Sequence, residues 1–225
     1  MPGRTPEPGE DPREIPDATI VRLPLYHRAL MALDRAGEST VSSEQLASIA
    51  GVNAAKVRKD LSYFGSFGTR GVGYDVPQLL SEVRAHLGIQ RSRNCIVVGA
   101  GHLGTALLTF AGFADRGFSV VAAVDVDPDR VGSRIGGIEV GHQDDLDRLV
   151  RENDVVIALL STPPEAAQQV ADDLVAAGVR SILNFAPTLI EAPEEVVVRN
   201  VDLASELEIL AFHEGRRDNE VAPAS

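Results

Sequence analysis

A chain of 225 residues, 44% of them hydrophobic, has room for one large domain or two modest ones around a real core. Aromatic residues make up 4% and tryptophan is absent, which argues against a carbohydrate-binding surface and against a platform that stacks single-stranded nucleic acid. The single cysteine rules out an intramolecular disulfide framework and fits a reducing, cytoplasmic compartment, while a net charge of −12 speaks at first against DNA.

The opening MPGRTPEPGEDPREIPD is proline-rich and acidic without an apolar core, so it reads as a disordered leader over residues 1–17 and not as a signal peptide. No apolar stretch is long enough to cross a membrane. Residues 18–88 form the first predicted domain, helical with short breaks. Ile20, Leu23, Leu25, Leu30, Met31 and Leu33 outline an amphipathic helix with Pro24 near its start and Gly37 at its close. Ser42 and Gln45 have the spacing of a capping box, opening a second helix with Leu46, Ala47, Ile49 and Ala50 on its apolar face. After the Gly51-Val52 turn, Asn53 caps a third helix from Ala54 to Phe64, with Val57, Leu61 and Phe64 inward. Lys56, Lys59 and Tyr63 lie off that stripe and Arg58 flanks it. This is a helix-turn-helix, whose second helix enters the DNA major groove.

The glycine-rich string GSFGTRGVGYDV follows at once and predicts a β-hairpin, with Ser66 and Arg70 placed to reach the DNA backbone or minor groove. Helix-turn-helix plus hairpin is a winged helix. The charge distribution agrees: residues 20–90 hold eight basic and six acidic side chains, whereas residues 91–225 hold eleven and twenty-two. The first domain is the part a polyanion tolerates, and the acidic remainder confines contact to one end.

A helix through Leu79, Leu80, Val83 and Leu87 ends this domain, and the hydrophobic period then changes. Over residues 89–200, buried strands at Cys95–Val98, Ser119–Val124, Val155–Leu159, Ile182–Leu183 and Val196–Val198 alternate with helices such as Glu165–Ala177. That alternation predicts an α/β fold with a Rossmann-like, doubly wound parallel sheet. A C-terminal helix is expected over residues 201–214, then a loose tail over 215–225. Cys95 sits in a strand and reads as a small buried apolar residue.

The first strand runs into Gly99-Ala100-Gly101-His102-Leu103-Gly104, a helix through Phe110 follows, and Asp125 ends the next strand. This is the full context of a dinucleotide-binding loop. Gly99 permits the turn, Gly101 lets backbone approach a pyrophosphate, and Gly104 allows close helix–strand packing. Asp125 is placed to accept hydrogen bonds from ribose hydroxyls and to repel a 2′-phosphate, which favours NAD(H) over NADP(H), though nearby Arg130 can soften that exclusion. Phe110, Phe113 and Phe185 are candidates for an apolar pocket around the nicotinamide. His102, His142 and His213 lack a plausible arginine anchor for a substrate, and no separate substrate domain fits. No catalytic set and no metal site is therefore expected, and the cofactor reads as a signal. The competing reading is an NAD-dependent oxidoreductase or CoA-binding enzyme with an appended helical domain.

The string AKVRKDLSYFGSFGTRGVGYDV at residues 55–76 closely resembles the winged-helix core of the Rex family of redox-sensing repressors. The likeness continues through IVVGAGHLGTAL, VDVDP, STPPEAA, AAGVRSILNFAP and NVDLASELEILAF, from about Ile20 to His213. The second domain also resembles the CoA-binding Rossmann domains of succinyl-CoA synthetase type. The Rex resemblance implies a homodimer that binds a palindromic operator when NADH is scarce and releases it when NADH binds. It further implies a domain-swapped terminal helix at about Asp202–His213, using Leu203, Leu207, Leu210 and Phe212, and a pairing of Arg28 with Asp202 of the other subunit in one of the two states.

Overall fold

The computed structural model describes residues 15–65, 68–69 and 72–221. The chain divides into two units at Arg91/Ser92.

In the first unit, α1 (Asp17–Arg35), α2 (Ser43–Ala50), α3 (Ala54–Ser62) and α4 (Val76–His86) surround one core containing Leu23, Leu30, Leu46, Val57, Leu61, Leu79 and Val83. The capping box of α2 is present with both of its hydrogen bonds, Gln45 N–H to Ser42 Oγ and Ser42 N–H to Gln45 Oε1. Asn53 caps α3 by accepting from the Lys56 N–H. A small antiparallel sheet completes the unit. Strand β1 (Thr40–Val41) pairs with β3 (Gly73–Asp75), and β3 pairs with β2 (Gly68–Thr69). The winged-helix reading thus holds, with β1 as a strand the sequence pattern does not announce. Pro24 is not near the start of α1 but inside it. It is exposed, so the Ile20 carbonyl that loses its helical donor can turn to water, and burial of the opposite face offsets an interior-proline cost of about 3 kcal/mol. Ile20 and Ile49, expected on apolar faces, are also exposed. Thr19, Tyr26 and His27 take the inward side of α1 instead.

In the second unit, the strands in chain order are β4 (Arg93–Val98), β5 (Phe118–Asp125), β6 (Arg134–Ile135), β7 (Ile138–His142), β8 (Ile157–Leu160), β9 (Ser181–Asn184) and β10 (Val197–Asn200). They form one sheet in the order β10-β9-β8-β4-β5-β7-β6, parallel except for β6. The period-two alternation sorts its side chains. Ile96, Val98, Ala158 and Leu160 enter one core, beneath α6 (Leu146–Glu152) and α7 (Pro164–Ala176). Cys95, Val97 and Leu159 enter the other, beneath α5 (His102–Leu108) and a 3₁₀ helix at Ala111–Arg116. Being covered on both faces is why these strands read as unbroken apolar runs.

Three features differ from the sequence expectation. The helix after the glycine loop ends at Leu108, and Phe110 caps the following 3₁₀ helix. The β6–β7 hairpin, turning at Gly136-Gly137, was not anticipated. The last helix, α8 (Leu203–Val221), runs past Gly215, where a loose tail was expected. One interior glycine costs only about 1 kcal/mol, and the Arg and Glu residues around it are good helix formers.

Candidate functional site

Two groups of candidate residues fall on separate units. The nucleotide group gathers at the carboxyl end of β4, the strand where the sheet order reverses, with β5 to one side and β8 to the other. Open α/β sheets bind ligands at such a crevice. Gly99 has φ +92, and a Cβ there would lie 2.6 Å from the Ser161 carbonyl oxygen. At Gly104 a Cβ would overlap the Gly99 carbonyl oxygen, so α5 can approach β4 only without a side chain. At Gly101 a Cβ would meet nothing within 4 Å, leaving open space over the loop backbone for a phosphate. His102 and Leu103 are exposed in the first turn of α5, and Ala100 is fully buried.

The loop is tied from both sides. Asp125 Oδ2 accepts from the Ala100 N–H at 2.5 Å and Oδ1 accepts from the Asp127 N–H at 2.9 Å. A carboxylate has about four acceptor sites, so capacity for ribose hydroxyls remains. Arg130 Nη1 donates to the Ala100 carbonyl at 2.8 Å, which commits this side chain to the loop. Ser161 Oγ donates to the Gly99 carbonyl at 2.8 Å. Next to it, the Thr162 hydroxyl oxygen is buried with no hydrogen-bond partner among the described residues. An orphaned hydroxyl beside a glycine cradle fits a polar ligand, because a buried polar atom costs free energy until it is paired. Sequence reasoning did not single out Ser161 or Thr162, since a hydroxyl pair before two prolines carries no spacing signal of its own.

Phe110 packs edge-on against Phe113 with ring centroids 5.0 Å apart and is 56% exposed. Phe113 and Phe185 pack against the same core cluster. Burial pushes the Cys95 thiol up to about 11, so it stays protonated and inert at neutral pH. His142 accepts from the Asp144 N–H and lies 3.2 Å from its carboxylate, as an exposed strand-end cap.

In the first unit, α3 presents Lys56, Arg58 and Lys59 to solvent, and Tyr63 is half-buried at its end. Arg58 is already engaged, donating to Ser43 Oγ at 2.8 Å and Glu44 Oε1 at 2.9 Å on α2. Ser66 and Arg70 lie outside the described residues. The inner side of α3 holds a residue that sequence reasoning passed over. Asp60 is 1% exposed and takes Arg22 Nε and Nη2 at 2.7 Å each, the Tyr26 hydroxyl at 2.6 Å and the Thr19 hydroxyl at 3.0 Å. Burial alone would raise its carboxyl, but the hydrogen bonds from Arg22, Tyr26 and Thr19 outweigh this and hold it below the usual carboxylate range. Burial first, and then the hydrogen bond to Asp60, push the Tyr26 hydroxyl up against the opposing pull of Arg22.

Arg28 is exposed on α1. Asp202 caps α8, accepting from the Ala204 N–H at 2.9 Å and the Ser205 hydroxyl at 2.7 Å. Residues 202–216 are all exposed, including Leu203, Leu207, Ile209, Leu210 and Phe212. Hence the large apolar side chains of this stretch of α8 are not buried against its own sheet. The link from β9 to β10 contains no helix, and a groove of about 410 Å³ lies open over that half of the sheet, lined by Phe113, Phe118, Ile157, Leu159, Leu183 and Val197 among others.

Comparison with known proteins agrees with this division. Residues 14–62 match the family described as "Putative DNA-binding protein N-terminus", and residues 90–188 match the CoA binding domain family. The redox-sensing transcriptional repressor Rex of Streptomyces griseus is 56% identical over 222 residues, covering 99% of this chain and 88% of that protein. Its namesake from Carboxydothermus hydrogenoformans is 50% identical over 200 residues, covering 89% and 96%. The crystal structure of RSP in complex with beta-NAD+ and operator DNA superposes with a TM-score of 0.85 at 34% identity, covering 91% of this chain and 94% of that one. RSP in complex with beta-NADH gives 0.80 at 32% identity, covering 91% and 96%. With a winged helix, a Rossmann-like sheet and full-length relatives of this kind, the chain belongs to the Rex family of redox-sensing transcriptional repressors.

Proposed function

We propose that this chain reports the NADH/NAD⁺ balance to its operators. As a homodimer it binds palindromic DNA through α3 and the wing of each protomer, and NADH in the crevice above β4 releases the DNA. The observation that carries this reading is the union, in one chain, of a basic reading helix on a winged-helix core and a glycine cradle tied to Asp125. The relatives support it: RSP, a Rex-family repressor, crystallises both with beta-NAD+ and operator DNA and with beta-NADH.

Lys56 and Lys59 meet the major groove together with Tyr63, while Arg58 joins them by leaving Glu44. Ser66 and Arg70 hold backbone or minor groove. Phosphate contacts fix position and base-edge contacts specify. In the second unit, Gly99, Ala100, Gly101, His102, Leu103 and Gly104 offer backbone to the pyrophosphate, Asp125 accepts the ribose hydroxyls and Arg130 braces the loop. Thr162 gains its missing partner from the ligand. The cofactor supplies a signal, since its oxidised ring carries a positive charge that the reduced ring lacks. Phe110, Phe113 and Phe185 give that difference energetic weight, because an apolar wall penalises the charged form. The nucleotide is a regulatory ligand and not a reagent, and the protein acts in the cytoplasm, where its operators are.

The exposed apolar side chains of α8 and the open groove support dimerisation. The α8 of each protomer swaps across to cover apolar surface on the other, each large side chain so buried contributing about 1.5–3 kcal/mol. Arg28 and Asp202 of opposite subunits pair in one of the two states.

The test is a gel shift with a palindromic duplex, titrated with NADH at fixed NAD⁺. The shifted band should disappear as NADH rises. A band that survives saturating NADH, or turnover of NADH with a small substrate, would overturn the reading.

A further inference from the structure

The recognition helix carries a carboxylate. That is unexpected on an element that must approach phosphate, and its surroundings show how it is handled. Asp60 follows Lys59 directly and lies one helical turn from Lys56. Its carboxylate accepts four hydrogen bonds, all from side chains of α1: two from Arg22 and one each from Tyr26 and Thr19. A carboxylate has about four acceptor sites, so these donors saturate it. Thr19, Arg22 and Tyr26 recur at helical spacing and form a single donor face.

We propose that Asp60 is a positioning residue for operator recognition: the clamp from Thr19, Arg22 and Tyr26 fixes the rotation and axial position of α3 on α1, and so aims Lys56 and Lys59. This inference rests on the DNA-binding reading above. Apolar packing between two helices tolerates slip and rotation, whereas four directed hydrogen bonds onto one carboxylate do not. Arg22 also neutralises the one acidic charge on α3, leaving the lysines free to attract phosphate. A buried ion pair is weak evidence for stability, because matched apolar side chains of similar volume commonly replace it without loss. What such a replacement cannot supply is direction.

That contrast defines the experiment. The full-length wild-type protein first selects its operator from a pool of random-sequence duplexes. Affinity for the selected duplex and for a mixed-sequence duplex is then measured for a quadruple variant, Thr19→Val, Arg22→Met, Tyr26→Phe and Asp60→Leu, which keeps the net charge and roughly the volume. The variant should melt cooperatively and bind NADH like wild type. It should lose at least about 10-fold in operator affinity while mixed-sequence binding changes less than about 2-fold. A second variant, Thr19→Val with Tyr26→Phe, keeps the ion pair and removes two of the four bonds. It should lose about 3-fold or more on the operator alone, and it decides the matter if the quadruple variant does not fold. Wild-type discrimination in a folded variant would overturn the inference and leave the proposed function standing. A wild-type protein that enriches no sequence would sink the proposed function, and this inference with it.

Discussion

Individual residues set the two sites through steric and titration limits. Gly104 has no room for a methyl group because its Cβ position overlaps the Gly99 carbonyl oxygen. Gly104→Ala should therefore displace α5 from β4 and weaken NADH binding at least 10-fold, read by fluorescence titration, while operator binding without NADH is retained. Asp60 sets a pH limit. Its folded pKa is depressed below that of the unfolded chain. A depressed carboxyl contributes stability above its unfolded value of about 4 and loses it as pH falls through the lower folded value. Urea unfolding of the wild type should show falling stability of the first unit below about pH 4, and Asp60→Asn should flatten that slope. An acid limb identical in both proteins would assign the loss to other carboxylates.

At the level of elements, α3 and the wing share the work of DNA contact but by different physics. Lys59 is exposed on α3 with no acidic partner among the described residues, whereas Arg58 is held by Glu44. Lys59→Ala should weaken operator binding. If it meets a phosphate, the slope of log affinity against log salt should fall by about one, and mixed-sequence binding should weaken in parallel; if it meets a base edge, the loss should fall on the operator, by about 1–3 kcal/mol. An unchanged operator affinity at moderate salt would remove Lys59 from the interface.

For the whole molecule, the proposed switch is a coupling between a nucleotide crevice on one unit and a reading helix on the other. A ligand shifts such an equilibrium only by its differential affinity for the two states. Couplings usually run to about 1–3 kcal/mol, and a swing from 1:99 to 99:1 needs about 5.5 kcal/mol. Linkage makes the effect reciprocal, so saturating operator DNA must weaken NADH binding by the same factor by which NADH weakens operator binding. Calorimetric titration of NADH with and without DNA measures this directly, and equal affinities in the two titrations would disprove the coupling.

How much of this was readable in the chain depends on the range of the interaction involved. Local signals were legible: the Ser42–Gln45 capping box, the Asn53 cap, the turn at Gly99 and the carboxylate at Asp125 are each decided within a few residues or by strand-to-strand spacing. The Gly136-Gly137 turn between Ile135 and Ile138 is equally local, a two-glycine hairpin signal. By itself the sequence determined the two-part architecture, the winged helix, the Rossmann-like sheet and the dinucleotide loop, because hydrophobic period and glycine placement act at short range. Only the tertiary structure decided that Pro24 lies inside a helix, that Asp60 is buried under three donors thirty-four or more residues away, that Thr162 is orphaned beside the glycine loop among the described residues, and that residues 202–216 are left exposed. A polar residue in a helical pattern reads as solvent-facing until its distant partners are in place, and no local rule announces contacts made across such separations.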